Sequence, residues 1–218
     1  MTPASARLPV LLVHGIDDDA RCLAPLSARL AQAGFGEVRC VELKPNNGAA
    51  PISVLAAQVA EAAEHLRAHT GSARLDLVAF SMGALVSRYY LQRLEGRHQV
   101  RRFVSISGPH AGTLLGWLRF NPGARDMRPG SELLRGLAAD PAPFGDVQVF
   151  TLWTPLDLMI FPPSSSRLVG AHERMVPVAL HPLMLRDGRV LRAVEDALTV
   201  ERPEDFAAPP VTPPPDSP

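Results

Sequence analysis

The residues with the clearest chemical potential are Ala79-Phe80-Ser81-Met82-Gly83. A serine flanked at two residues by small side chains fits a sharp turn between a strand and a helix, the context of a nucleophile elbow. Such a turn lifts the hydroxyl clear of a sheet edge. It also aims the Met82 N–H and a helix N-terminus at an oxyanion forming on a substrate carbonyl. Gly83 supplies one small position, and Ala79 stands where the usual pattern has a first glycine. The competing reading is a serine that only caps a helix. A second stretch, Val13-His14-Gly15-Ile16, fits the other half of an oxyanion hole, with Gly15 permitting the turn that points the Ile16 N–H inward. His14 braces that loop or borders the substrate, and bracing is the favoured reading. The chemistry implied is acyl transfer by an activated serine.

These residues need a sheet edge to present them. Leu8–Val13 is a short apolar run that reads as a buried strand. Residues 37–43, 75–80, 100–106, 147–153 and 174–180 read as five more strands. Pro177 argues for an edge or bulged position in the last of these. Helical spacing marks residues 21–34, 52–70, 84–94 and 191–198, and a short helix is expected over 131–137. Strand–helix alternation predicts an α/β fold of about six mainly parallel strands with helices on both faces. Residues 75–80 then end in the serine turn, and residues 8–13 end in the glycine turn.

The ordered segments LPVLLVHGIDD, LDLVAFSMGALVSRYYL, FVSISGPHAGT, MRPGSELLRGL, TLWTPLDLMIFPPSSSRL and VPVALHPLML span most of residues 8–185. Together they resemble the small bacterial lipases and esterases of the α/β-hydrolase superfamily, in which an Ala-x-Ser-x-Gly elbow is a known variant. The resemblance implies a minimal α/β-hydrolase and a chain order of serine, acid, histidine. It puts the acid after the fifth strand, at Asp157. Asp126, Asp140 and Asp146 read as turn residues, and Asp187 and Asp196 fall after the candidate base. His181 follows the last strand and is preferred as base over His172, which precedes it. Leu180 stands before His181 where the family often has glycine. His110 reads as structural or pocket-lining, and His65, His69 and His98 as surface residues.

The implied activity is hydrolysis of a carboxylic ester by Ser81, Asp157 and His181, with Ile16 and Met82 as oxyanion donors and no metal or cofactor. A thioesterase or acyltransferase would use the same three residues, and a non-catalytic binding protein on this fold is the remaining alternative. Residues 114–120 (LLGWLRF) are strongly apolar. They line an acyl pocket or cover it, with Leu114 and Trp117 as the expected substrate contacts, or else they belong to the core.

Composition bounds the rest. Lys+Arg and Asp+Glu are 22 each, so the net charge of zero argues against a polyanionic partner such as nucleic acid. The partner expected is a small-molecule or lipid ester, and the sequence leaves the oligomeric state open. No apolar run is long enough to span a membrane. Residues 1–9 lack signal-peptide features, so a cytoplasmic setting is expected, with Cys22 and Cys40 as partly buried thiols. Proline is the outlier at 22 of 218 residues, and seven of these lie in the last sixteen. Residues 1–201 are therefore expected to form the domain, with 109–146 as an insert or small lid. Residues 202–218 are expected to be an extended tail, inert or offering a polyproline docking segment.

Overall fold

The computed structural model describes residues 7–207. Six strands form one sheet: β1 (Val10–Val13), β2 (Val38–Val41), β3 (Leu75–Phe80), β4 (Val100–Ile106), β5 (Gln148–Trp153) and β6 (His172–Met175). Their order is β2-β1-β3-β4-β5-β6 and every pairing is parallel. The helices are α1 (Ala24–Gln32), α2 (Ile52–Thr70), α3 (Met82–Arg93), α4 (Pro122–Asp126), α5 (Glu132–Ala138) and α6 (Gly188–Thr199).

The apolar runs of β1 and β3, broken in β3 only by Asp76, which Arg101 pairs at 2.5 Å, reflect burial on both sheet faces. Leu11, Val13, Leu77 and Ala79 pack with α2 and α3 on one face. Val10, Leu12, Val78 and Phe80 pack with α1 and α6 on the other. The chain steps from β1 outward to β2, then returns through α2 to place β3 on the opposite side of β1. That reversal is a topological switch point, and the crevice beyond the strand carboxyl ends there is where open α/β sheets bind ligands. Val13 pairs with Ala79 across it, so the glycine turn and the serine turn leave the sheet side by side.

Three boundaries differ from expectation. The last strand runs over His172–Met175 rather than 174–180. Val176 N–H still donates to Trp153 O at 2.9 Å, but Pro177 has no N–H to extend the ladder. The helix expected over 21–34 divides into a 3-10 turn (Ala20–Leu23), capped by Asp19, and α1 with Pro25 in its first turn. The packed chain continues past residue 202. Pro203–Ala207 form a 3-10 turn, and Phe206 is buried against Phe150, with ring centroids 4.9 Å apart. One aromatic anchor has no periodicity to betray it. The rest of the expected tail, 208–218, lies outside the described residues.

Candidate active site

The turn after β3 has the backbone strain that a nucleophile elbow requires. Ser81 sits at φ 54°, ψ −127°, a region that non-glycine residues rarely occupy and that costs about 1–3 kcal/mol. Its N–H donates to Ile106 O at 2.9 Å, tying the elbow to the end of β4. α3 begins at once, with Met82 as its first residue, two residues earlier than the spacing predicts.

The turn is sterically possible only with glycine at two positions. A Cβ on Gly83 would overlap the His14 carbonyl oxygen and lie 2.9 Å from that of Val13. A Cβ on Gly15 would lie 2.9 Å from Ser81 Cβ. The glycine loop and the elbow are thus in direct backbone contact. The Ile16 and Met82 N–H groups have no acceptor among the described residues, the state expected of oxyanion donors.

Asp157 and His181 come together from two loops at the same sheet edge. His181 Nδ1 is 2.7 Å from Asp157 Oδ2, and both residues are buried. Asp157 Oδ1 accepts the Met159 and Ile160 N–H groups, each at 2.9 Å. Burial pushes the Asp157 carboxyl up. The His181 hydrogen bond and charge, with the two N–H donors, outweigh burial and hold it below the usual carboxylate range. An ionised acid that accepts from Nδ1–H leaves Nε2 as the basic nitrogen. Phe80 stacks on His181 with centroids 4.6 Å apart, which brings the imidazole over the residue preceding Ser81. Ser81 Oγ and Nε2 make no hydrogen bond in this conformation, a bond that often tightens only around substrate.

A cavity of about 230 Å³ opens beside Ser81, walled by Ile16, Leu115, Leu118, Met127, Met159 and Ile160. The apolar segment does line it, but through other residues than expected. Leu114–Leu118 is a 3-10 turn of three residues per turn, so Leu114 and Trp117 share one face while Leu115 and Leu118 share the next. The second face meets the cavity. Leu114 is half-exposed, and Trp117 lies outside under the Arg128 guanidinium, 4.5 Å from its ring centroid. The insert is fastened as a wall: Thr113 N–H donates to Met127 O at 2.8 Å, and Arg128 Nε to Gly116 O at 3.0 Å.

His14 does not reach the cavity. It is fully buried, with Nδ1 donating to Gly15 O at 2.8 Å and Nε2 accepting from Leu43 N–H at 3.0 Å. It braces the glycine loop. His110 is also buried, 2.7 Å from Ser105 Oγ. Burial and then Arg88 lower its basicity well below that of a free histidine, so it stays neutral.

Two threonines that sequence reasoning missed hold the loops. Thr154 Oγ1 donates to Val178 O at 2.7 Å and accepts from Val178 N–H at 3.1 Å, joining the Asp157 loop to the His181 loop. Thr113 Oγ1 donates to Met159 O at 2.8 Å and accepts from Phe161 N–H at 3.1 Å, joining the insert to the Asp157 loop. Thr154 follows the last residue of β5 and immediately precedes a Pro, which was the available signal. Thr113 carried none.

Fold and site together define a serine hydrolase of the α/β-hydrolase type. The family model for palmitoyl protein thioesterase matches residues 9–119, just over half of the sequence, and the chain belongs to that family. The mature form of Bacillus licheniformis lipase BlEst2 has the same fold, with a TM-score of 0.79 at 17% identity over 91% of this chain and 94% of that one. Aspergillus fumigatus lipase B gives a TM-score of 0.81 at 21% identity, over 95% of this chain and 57% of its own length. No curated protein matches the sequence.

Proposed function

We propose that this protein hydrolyses carboxylic esters of apolar acyl groups by a two-step acyl transfer through Ser81, His181 and Asp157. The observation that carries this reading is the 2.7 Å Asp157–His181 contact beside a serine held in a strained elbow. His181 Nε2 takes the Ser81 proton as Oγ attacks the ester carbonyl. The Ile16 and Met82 N–H groups hold the oxyanion, each worth about 3–4 kcal/mol of barrier. The C–O bond then breaks, and His181 returns the proton to the departing alcohol. Water adds to the acyl-enzyme by the same route and releases the acid and free Ser81. Asp157 orients the ring and stabilises its charged form.

The substrate class follows from the surroundings. The cavity beside Ser81 is apolar, which favours an acyl chain over a charged group. Exposed apolar side chains are carried by the segments that hold the site: Leu118 and Phe120 on the insert, Leu156 and Leu158 on either side of Asp157, and Leu180 and Leu183 close to His181. Exposed apolar surface of this kind suits a poorly soluble or lipid ester. Among the described residues no helix is long and apolar enough to cross a membrane.

The family match favours a second reading, hydrolysis of acyl thioesters by the same three residues. Both readings are tested by a chain-length series of nitrophenyl esters alongside matched thioesters, on wild type and Ser81→Ala. Ser81-dependent turnover that prefers esters supports the first reading, and a preference for thioesters supports the second. Turnover that survives Ser81→Ala refutes both.

A further inference from the structure

Residues 17–19 are three consecutive aspartates on the loop that follows Ile16. Their surroundings differ. Asp17 pairs with Arg119, and Asp19 with Arg21. Asp18, between them, has no side-chain partner among the described residues, although it is only partly exposed. Its Oδ2 lies 3.3 Å from the point where a Gly15 Cβ would be, the same point that crowds Ser81 Cβ. The carboxylate therefore lies near Ser81 on the glycine-loop side.

Asp18 also lines a second cavity of about 230 Å³, separate in its walls from the apolar one. Cys22, Phe80, Pro182, Leu183, Leu185 and Arg186 complete its lining, which includes neither Ser81 nor His181. Phe80 packs on the His181 ring and Pro182 follows it in sequence, so two of its walls adjoin the residue that holds the imidazole. In acyl transfer the departing group takes its proton from that imidazole and must lie against it. A leaving group in this cavity would lie beside Asp18, with the acyl chain beside Leu115 and Leu118 in the other.

We propose that the Asp18 cavity is a leaving-group subsite for cationic alcohols, with the carboxylate as counter-ion. The inference rests on the hydrolase reading above. A carboxylate partly withdrawn from water with no donor of its own is destabilised until a ligand supplies one. Burial accordingly pushes the Asp18 carboxyl up, against the pull of His14 and His181 and with added repulsion from Asp19 and Asp17. A bound ammonium relieves that cost and also offsets the repulsion that Asp18 exerts on an oxyanion at Ser81. Arg186 is exposed, so water screens its repulsion of the cation more than it screens the Asp18 attraction.

The test compares three esters of one short acyl group: choline, its neutral isostere 3,3-dimethylbutanol, and a carboxylate-bearing alcohol of similar size. Wild type is expected to favour choline over the neutral ester by on the order of ten-fold in kcat/KM, a partly buried ion pair's effect. In Asp18→Asn that ratio falls to about one. A wild-type ratio near one, a ratio unmoved by Asp18→Asn, or preference for the anionic ester overturns the proposal while leaving the hydrolase reading intact. Calorimetry of choline binding to Ser81→Ala, with and without Asp18→Asn, reads the subsite without turnover. If no ester is hydrolysed, the hydrolase reading fails. The leaving-group role then fails with it, choline binding lost in Asp18→Asn leaves only a cation site at Asp18, and choline that does not bind or binds equally to both overturns the cation site too.

Discussion

Replacing Gly83 with alanine tests the packing on which the whole site depends. The added methyl would overlap the His14 carbonyl oxygen, lie 2.9 Å from Val13 O, and lie 3.0 Å from Val13 Cγ1. Carbon prefers these neighbours at roughly 3.3–4.0 Å, and two of the three are backbone atoms that cannot rotate away. Relief requires α3 to move off β1, or the His14–Gly15 segment to shift. Overpacking of this kind costs about 2–3 kcal/mol, which for a domain of this size lowers Tm by about 4–12 °C. If the loop is what moves, the Ile16 N–H moves with it. Loss of one oxyanion donor then lowers kcat by roughly 10²–10³ with a smaller change in KM. Gly136→Ala is the matched control. Gly136 lies inside α5 with nothing within 4 Å of its Cβ position, so alanine there should stabilise by about 0.5–1 kcal/mol. Thermal melts by circular dichroism and nitrophenyl ester kinetics read both variants. A Gly83→Ala protein that melts within a degree of wild type and keeps its kcat would refute the close-contact argument.

Other substitutions probe separate parts of the account. Asp157→Asn should keep the fold and lower kcat by on the order of 10⁴, because the amide no longer fixes the tautomer at Nδ1; a loss under ten-fold in steady-state kinetics would remove Asp157 from its role. Leu118→Gln with Phe120→Gln alters side chains that are 77% and 78% exposed, so the melt should stay within about 2 °C while turnover of emulsified esters falls several-fold more than that of dissolved ones. Asp187 caps α6 by accepting the Arg189 N–H at 2.8 Å, and the Arg189 side chain holds its carboxyl down at about 2. That stabilisation is present in full above the unfolded carboxyl pKa near 3.9 and is lost as pH falls through about 2. Asp187→Ala should therefore lower Tm at pH 7 by a few degrees, with the gap from wild type closing in melts below pH 3.

The sheet and the serine elbow were legible in the sequence because their signals are local. A two-face-buried strand is apolar except where a partner neutralises a polar group, as Arg101 does for Asp76, and the turns that follow β1 and β3 need glycine where backbones touch. The proposed acid and base could be placed only through family resemblance, since nothing in the spacing of Asp157 and His181 reveals that two loops meet at 2.7 Å. The cavity wall shows a different limit. Composition marked residues 114–120 as apolar, but which face meets the cavity depended on a 3-10 turn rather than an α-turn, and that put Leu115 and Leu118 rather than Leu114 and Trp117 on its wall. Thr113 and Asp18 were invisible, and Thr154 was marked only by its place before a proline, for a related reason. Each acts through partners far away in sequence, or through the lack of one, and residue type alone encodes neither.

The central claim is that Ser81 is a nucleophile activated by His181. Its most direct test is covalent labelling by a fluorophosphonate, read by peptide mass spectrometry on the folded protein. The account predicts one phosphonyl adduct, on Ser81, that is absent in Ser81→Ala and slowed by orders of magnitude in His181→Ala. Absence of labelling in the native protein, or an adduct that persists on another residue in Ser81→Ala, would contradict it.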